Sequence, residues 1–85
     1  MTTSITLLTQ RHCDLCEQAK SVLERIAADV PLQVGTVDLA SDEGTRLAAS
    51  IGLAFPPGVL IDGEPFSHGR LSERRLRKEL ERRSR

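Results

Sequence analysis

The stretch TQRHCDLCEQAK, residues 9–20, contains both cysteines of this 85-residue chain, with two residues between them. A β-prone run, residues 4–9, precedes the pair, and apolar residues at helical spacing follow it. This pattern predicts a buried strand that leads directly into a helix over residues 13–28. Cys13 then lies at the start of the helix, and Cys16 lies one turn further along on the same face.

A cysteine at the start of a helix is chemically activated. Unpaired backbone N–H groups and the positive end of the helix dipole favour the thiolate over the thiol there. Cys13 is therefore the expected attacking thiolate, with the more buried Cys16 close enough to form a disulfide with it. Disulfide exchange needs such a pair, because one thiolate attacks and the second thiol resolves the mixed disulfide. The predicted redox group is the Cys13–Cys16 disulfide itself, without a separate cofactor.

Two other interpretations of the cysteine pair stay open at this point. A zinc site needs four ligands, and a single Cys-x-x-Cys motif supplies two of them. His12 and His68 could supply the other two. The cysteines could also be inert residues of a helix. The position of the pair at a strand–helix junction favours redox chemistry, and we expect no metal site.

The composition is that of a small globular domain. Apolar residues make up 39% and charged residues 28% of the chain, and the length predicts a single domain, residues 1–85. No run of residues approaches the ~18 consecutive apolar residues of a membrane span. The first residues lack the basic region and the long apolar run of a signal peptide. We therefore expect a cytoplasmic monomer without a membrane partner, in a compartment where thiols stay reduced.

Charge is unevenly distributed, although the formal net charge is zero. Residues 70–85 contain eight Lys or Arg and three acidic residues, whereas residues 1–69 contain four Lys or Arg and nine acidic residues. We interpret the basic segment as the solvated face of a last helix, with docking of a partner as the alternative. The chain has two Phe and no Tyr or Trp. Side chains that stack on bases are therefore scarce, and we expect no nucleic-acid partner.

The rest of the sequence completes a β-α-β-α-β-β-α order. After the first helix, a strand is predicted at residues 32–39, a second helix at 41–52, and two more strands at 59–61 and 64–67. A last helix follows Ser72, with Leu76 and Leu80 on its core side. Ser41 and Ser72 are N-caps, and Gly52 closes the second helix. Asp62-Gly63 forms a hairpin turn. The pattern predicts an α/β fold with a four-stranded mixed sheet, in which the first two strands are parallel neighbours.

Four segments carry a resemblance to a known family. They are Leu7-Leu8-Thr9 leading into Cys13-Asp14-Leu15-Cys16, then Val37-Asp38, then Pro57-Gly58-Val59-Leu60-Ile61-Asp62-Gly63, and Gly69-Arg70-Leu71-Ser72. Over nearly its whole length the chain resembles the glutaredoxin-like branch of the thioredoxin-fold superfamily, and the small bacterial glutaredoxin-like proteins in particular. The resemblance implies a thiol–disulfide oxidoreductase with Cys13 as nucleophile and Cys16 as resolving thiol. It also implies a cis-proline that faces them, at Pro57 or, as second choice, at Pro56.

The chain departs from the family pattern at the positions that bind glutathione. In the family, the residue before the cis-proline pairs its backbone with the bound peptide or glutathione, but Pro56 has no N–H. This donor is missing unless Pro56 is itself the cis residue, in which case Phe55 takes the pairing role. Asp14-Leu15 replaces the usual Pro-Tyr between the cysteines, and Ser67-His68-Gly69 replaces a glycine pair. The resemblance therefore implies the fold and the redox chemistry, but not glutathione specificity.

The residues around the motif are the candidates for substrate binding. They are Arg11, His12, Leu15, Pro56 and Pro57. Arg11 can bind a substrate carboxylate, and a protonated His12 would favour the Cys13 thiolate. His68 is interpreted as a loop residue. The expected partners are a disulfide-containing protein or small-thiol substrate, and a reductase or small thiol as electron donor. The alternative function is a non-catalytic binding module that holds metal or docks a partner through the basic helix.

Overall fold

The computed structural model of the chain describes residues 2–84. Its helices and strands follow the predicted order, and their ends lie within one residue of the predicted ends. They are β1 (Thr3–Thr9), α1 (Asp14–Ala27), β2 (Leu32–Asp38), α2 (Asp42–Ile51), β3 (Gly58–Ile61), β4 (Glu64–His68) and α3 (Glu73–Arg83). Met1 and Arg85 lie outside the described residues. The predicted domain, residues 1–85, includes both of them, and the basic segment, residues 70–85, includes Arg85. None of the helices within residues 2–84 has the length and apolarity that a bilayer crossing requires.

The four strands form one mixed sheet in the order β2-β1-β3-β4. β1 and β2 are parallel, β3 is antiparallel to β1, and β4 is antiparallel to β3. This confirms the predicted sheet, including the edge position of the strand that contains Pro65. Leu8 of β1 lies opposite Gly58 of β3. The end of β1 and the start of β3 therefore meet at the same end of the sheet, and α1 also begins there.

Local hydrogen bonds fix the ends of the helices. The Ser41 hydroxyl accepts the Gly44 N–H at 2.9 Å, and the Ser72 hydroxyl accepts the Arg75 N–H at 3.2 Å. Gly52 follows α2 with a left-handed φ of 63°, which glycine adopts without steric cost. These three predicted caps are confirmed.

The core lies between the sheet and helices α1 and α3. Its buried side chains form one cluster of Ile5, Leu7, Ala19, Val22, Leu23, Ile26, Val59, Ile61, Leu71, Leu76 and Leu80. Burial of each Leu, Ile or Val contributes roughly 1.5–3 kcal/mol relative to exposure. On the other face of the sheet, Leu8 and Leu53 lie against Gly58. The core thus fixes α1, which begins at the cysteine motif, against β1 and β3.

The last helix is not the uniformly solvated basic face that the charge pattern predicts. Arg77 donates to Glu73 within α3 and to Asp29 beyond α1, each at 3.0 Å. Arg83 pairs with Glu64 of β4 at 2.9 Å, and its side chain is only 25% exposed. The prediction that the arginines point outward is therefore wrong for Arg83, whereas the paired Arg77 side chain is still 36% exposed. Their guanidinium groups connect α3 to neighbouring elements.

The two arginines at the end of α3 should differ in their effect on stability. Hydrogen bonds from Arg82 and Arg83 lower the pKa of Glu79 from 4.5 to about 2. Arg83 also reaches Glu64, so we expect Arg83→Gln to lower the urea midpoint of unfolding more than Arg82→Gln at pH 7. Because the pKa of Glu79 is lower in the folded protein, its stabilisation is present above pH 4.5 and is lost as the pH falls toward 2. Equal midpoints for the two variants would contradict this role of Arg83.

Candidate active site

Cys13 is the N-cap of α1. Its backbone is extended, with φ −122° and ψ 103°. Its carbonyl oxygen accepts the N–H groups of Cys16 and Glu17 at 3.1 and 3.2 Å. The Cys16 N–H also lies 3.1 Å from the Cys13 Sγ, which accepts it. In the reduced protein the same donor and the helix dipole would stabilise negative charge on this sulfur.

The two cysteines differ in accessibility. They are joined as a disulfide, with Cα atoms 5.2 Å apart, within the usual range for a disulfide. Cys16 is 1% exposed, whereas Cys13 is half-buried. Cys13 is thus the more accessible sulfur, as predicted, although it is less exposed than the sequence suggests. A substrate can reach Cys13 far more easily than Cys16.

The residues just before and between the cysteines lie at the surface. Arg11, His12, Asp14 and Leu15 are all exposed, and Leu15 is 37% exposed. His12 has a left-handed φ of 53°, so the chain turns sharply before it enters α1. Within residues 2–84, Arg11 and His12 form no ion pair or side-chain hydrogen bond. Their predicted roles in binding substrate stay predictions.

The peptide bond between Pro56 and Pro57 is cis, so Pro57 is the cis-proline. The ring of Pro57 is buried, and its carbonyl oxygen accepts the Gly69 N–H at 2.8 Å. Pro56 precedes it without an N–H, and its carbonyl accepts none of the hydrogen bonds found within residues 2–84. We call residues 55–57 the proline edge. It lies at the end of the sheet where α1 begins, because β3 starts there.

Sequence reasoning missed the packing of Phe55, which it named only as the pairing residue if Pro56 were the cis-proline. Its ring is 52% exposed and packs edge-on against His68, with ring centroids 5.0 Å apart. The same ring covers Gly69, where an added Cβ would collide with it. His68 is the last residue of β4, so its interpretation as a loop residue is wrong. The only signal in the sequence is an aromatic residue beside Pro56 in a chain with few aromatics.

Sequence reasoning also missed Gln18. Its side-chain amide donates to the Leu71 carbonyl at 3.0 Å and accepts the Leu71 N–H at 3.1 Å. This double hydrogen bond ties α1 to the segment before α3. Gly69 of that segment donates to Pro57. Gln18 therefore links the helix of the cysteine pair to the proline edge through residues 69–71.

The alternative of a zinc site requires His12 and His68 to join the two cysteines. No three His, Cys, Asp or Glu side chains of residues 2–84 come together as a metal-binding group. His68 packs against Phe55, and Cys13 and Cys16 are bonded to each other. The arrangement is that of a disulfide site.

Comparison with known proteins agrees with this geometry. The family model of the glutaredoxin-like domain (DUF836) matches residues 4–81. A mutant thioredoxin from Halobacterium salinarum NRC-1 superposes with a TM-score of 0.72 at 24% identity, over 94% of this chain and 73% of that chain. At this identity the likeness shows the fold alone. No curated protein matches the sequence significantly. The chain has a thioredoxin-like fold with a disulfide-forming Cys-x-x-Cys pair, and it belongs to the glutaredoxin-like domain family (DUF836).

Proposed function

We propose that the protein is a dithiol–disulfide oxidoreductase that reduces protein or low-molecular-weight disulfides. The observation that carries the proposal is the asymmetry of the cysteine pair. Cys13 is half-buried and its sulfur accepts a backbone N–H at the start of α1, whereas Cys16, beside it, is 1% exposed. A helix N-terminus and a nearby donor favour a thiolate at Cys13. A sheltered thiol within disulfide distance is suited to resolve the product of its attack.

The reaction proceeds in two exchanges of sulfur bonds. The Cys13 thiolate attacks one sulfur of the substrate disulfide, forms a mixed disulfide and releases the other substrate sulfur as a thiolate. Cys16 then loses its proton and attacks the Cys13 sulfur, which releases the second substrate thiolate. The substrate gains two electrons, and the protein is left with the Cys13–Cys16 disulfide. A reductase or a small thiol returns the two electrons and completes the cycle.

Exposed apolar side chains favour a peptide or protein as substrate. Among residues 2–84, the large apolar side chains that are exposed are Leu15, Val34 and Phe55. Leu15 lies between the cysteines, and Phe55 belongs to the proline edge. Each of these two side chains can contact an apolar side chain of a bound peptide and remove it from water. In this proposal the protein acts as a monomer, in a compartment that keeps thiols reduced, such as the cytoplasm.

The missing N–H of Pro56 should limit the use of glutathione. A backbone hydrogen bond contributes roughly 0.5–1.5 kcal/mol, which corresponds to about two- to tenfold in binding. We expect Pro56→Val to restore the donor and to raise glutathione-dependent turnover of a mixed disulfide by roughly that factor. Pro31→Val, in the exposed loop between α1 and β2, is the matched control and should change nothing. Turnover by the natural protein that equals that of Pro56→Val would show that residue 56 does not pair with glutathione.

The proposed function is tested by reduction of insulin, with glutathione, another small thiol and a thioredoxin reductase system compared as donors. We expect turnover with at least one donor, and the reductase system to exceed glutathione. Metal content is measured on the same preparation, purified without added metal. Stoichiometric zinc, with both cysteines protected from alkylation, would contradict the redox function and favour a metal-holding module.

A further inference from the structure

Two glutamates of α3 are each paired with two arginines. The Glu73 carboxylate accepts hydrogen bonds from the side chains of Arg25 and Arg77, and these bonds lower the pKa of its carboxyl group. Glu79 accepts Arg82 and Arg83 in the same way. Each of these carboxylates is therefore shared by two guanidinium groups.

Arg75 instead lies over the ring of Phe66. Three further cations are Arg70, just before α3, and Arg74 and Lys78 within it, and we call them the basic stripe. All three are exposed, and none forms an ion pair or a side-chain hydrogen bond with another residue of the 2–84 range. Arg74 and Lys78 lie one turn apart on the same side of α3, and Arg70 lies four residues before Arg74. At a rise of about 1.5 Å per residue, the helical part of such a row extends roughly 6 Å. Glu73 and Glu81 line the same surface depression as Arg74 and Lys78.

The basic stripe begins at the redox end of the molecule. Arg70 lies between Gly69, which donates to Pro57 at 2.8 Å, and Leu71, which is bound twice by Gln18. These hydrogen bonds keep Arg70 beside the proline edge. A substrate that lies on the proline edge therefore has the first cation of the stripe next to it.

From there the basic stripe runs along the side of the molecule. Hydrogen-bond partners follow the same order along both segments: Gln18 binds Leu71 before α3, Arg25 binds Glu73, and Asp29 binds Arg77. The two helices thus run in the same direction, away from the cysteine pair. A partner that reaches Cys13 across the proline edge can extend along the stripe.

We propose that the basic stripe docks an acidic segment of the protein whose disulfide reacts with Cys13. This rests on the proposed function, and it names the class of substrate. The three cations form no ion pair within residues 2–84 and can attract an anionic partner. Electrostatic steering of this kind acts mainly on the rate of association. A protein is favoured over nucleic acid because the stripe starts at the edge where the substrate disulfide must lie. The stripe also carries no aromatic side chain for base stacking.

The test compares three synthetic peptides, each with one internal disulfide, whose flanking residues are four Asp, four Ser or four Lys. We expect the natural protein to reduce the Asp peptide with the highest kcat/KM, and added salt to remove this preference. Arg74→Glu combined with Lys78→Glu should lower kcat/KM for the Asp peptide by about tenfold, mostly through KM. The matched control is Arg46→Glu combined with Lys20→Glu, which makes the same charge change at cations of α2 and α1. It should lower this value much less.

The outcomes separate the docking surface from the redox function. Equal kcat/KM for the Asp and Lys peptides would overturn the docking surface, and so would equal losses of kcat/KM in the stripe and control variants. Reduction of the Ser peptide would still support the redox function. If no peptide is reduced, anisotropy of a labelled Asp peptide with serines in place of its cysteines decides. If the natural protein and the control variant bind this peptide but the stripe variant does not, the docking surface is supported. If the natural protein does not bind it, the docking surface is overturned. If the protein binds a single-stranded oligonucleotide more tightly than the Asp peptide, and the stripe variant loses this binding, the stripe is a nucleic-acid surface and the proposal is overturned.

Discussion

Replacement of Cys13 with serine is expected to reduce disulfide exchange to the uncatalysed background. The accessible sulfur at the start of α1 is then gone, and Cys16, at 1% exposure, cannot reach a substrate disulfide. Replacement of Cys16 with serine should leave the attack intact but remove the resolving thiol. The substrate then stays bound to Cys13 as a mixed disulfide. Insulin reduction measures the first effect, and mass spectrometry of the protein after incubation with a disulfide peptide measures the second.

The two serine variants serve as controls for each other, because each removes one sulfur of the same pair. Both lose the disulfide, so a general loss of stability would affect them alike. The roles assigned here require opposite behaviour in the trapping experiment. A mixed disulfide that accumulates on Cys16 in the Cys13→Ser variant would reverse the assignment, and with it the argument from the helix N-terminus.

Replacement of Gln18 with methionine is expected to lower the free energy of unfolding by roughly 1–3 kcal/mol. Methionine has a similar size but offers no equivalent donor or acceptor, so the N–H and C=O groups of Leu71 both lose their partner. Leu71 is 1% exposed, and unpaired backbone groups next to a buried residue are costly. Urea unfolding of the reduced and the oxidised protein measures the change.

Two further variants sharpen this test. Gln18→Glu keeps an acceptor for the Leu71 N–H but places a carboxylate against the Leu71 carbonyl, so we expect it to remain destabilised. Gln33→Met makes the same change as Gln18→Met at an exposed position of β2 and should be nearly neutral. A Gln18→Met protein as stable as Gln33→Met would show that the double hydrogen bond contributes nothing to the fold.

Features that depend on neighbouring residues were predictable from the sequence. Ser41 and Ser72 cap helices because their hydroxyls reach a backbone N–H three residues ahead. Asp62-Gly63 forms the hairpin turn because both residues adopt a positive φ, at 50° and 85°. The cysteine motif follows the same logic, since the strand before it and the helix after it are both local patterns. The fold class and the location of the redox pair therefore follow from short segments.

Features that depend on distant residues were not predictable in this way. Gln18 and Leu71 are 53 positions apart, and a polar residue in an amphipathic helix gives no sign of its partner. The packing of Phe55 on Gly69 depends on how the proline edge meets the end of β4. The contact between Arg83 and Glu64 likewise depends on how α3 lies beside β4. Periodicity indicates which face of an element is buried, but it does not identify the groups that meet across that face.

The central claim is that the start of α1 makes Cys13 the attacking thiolate, and the rate of alkylation of the reduced protein tests it most directly. The protein is treated with iodoacetamide over a range of pH, and mass spectrometry assigns the label to Cys13 or Cys16. We predict that Cys13 is labelled first, with a half-maximal rate at a pH below about 8.5, the midpoint of an ordinary cysteine. Equal labelling of the two cysteines, earlier labelling of Cys16, or a midpoint at or above about 8.5 would contradict the claim.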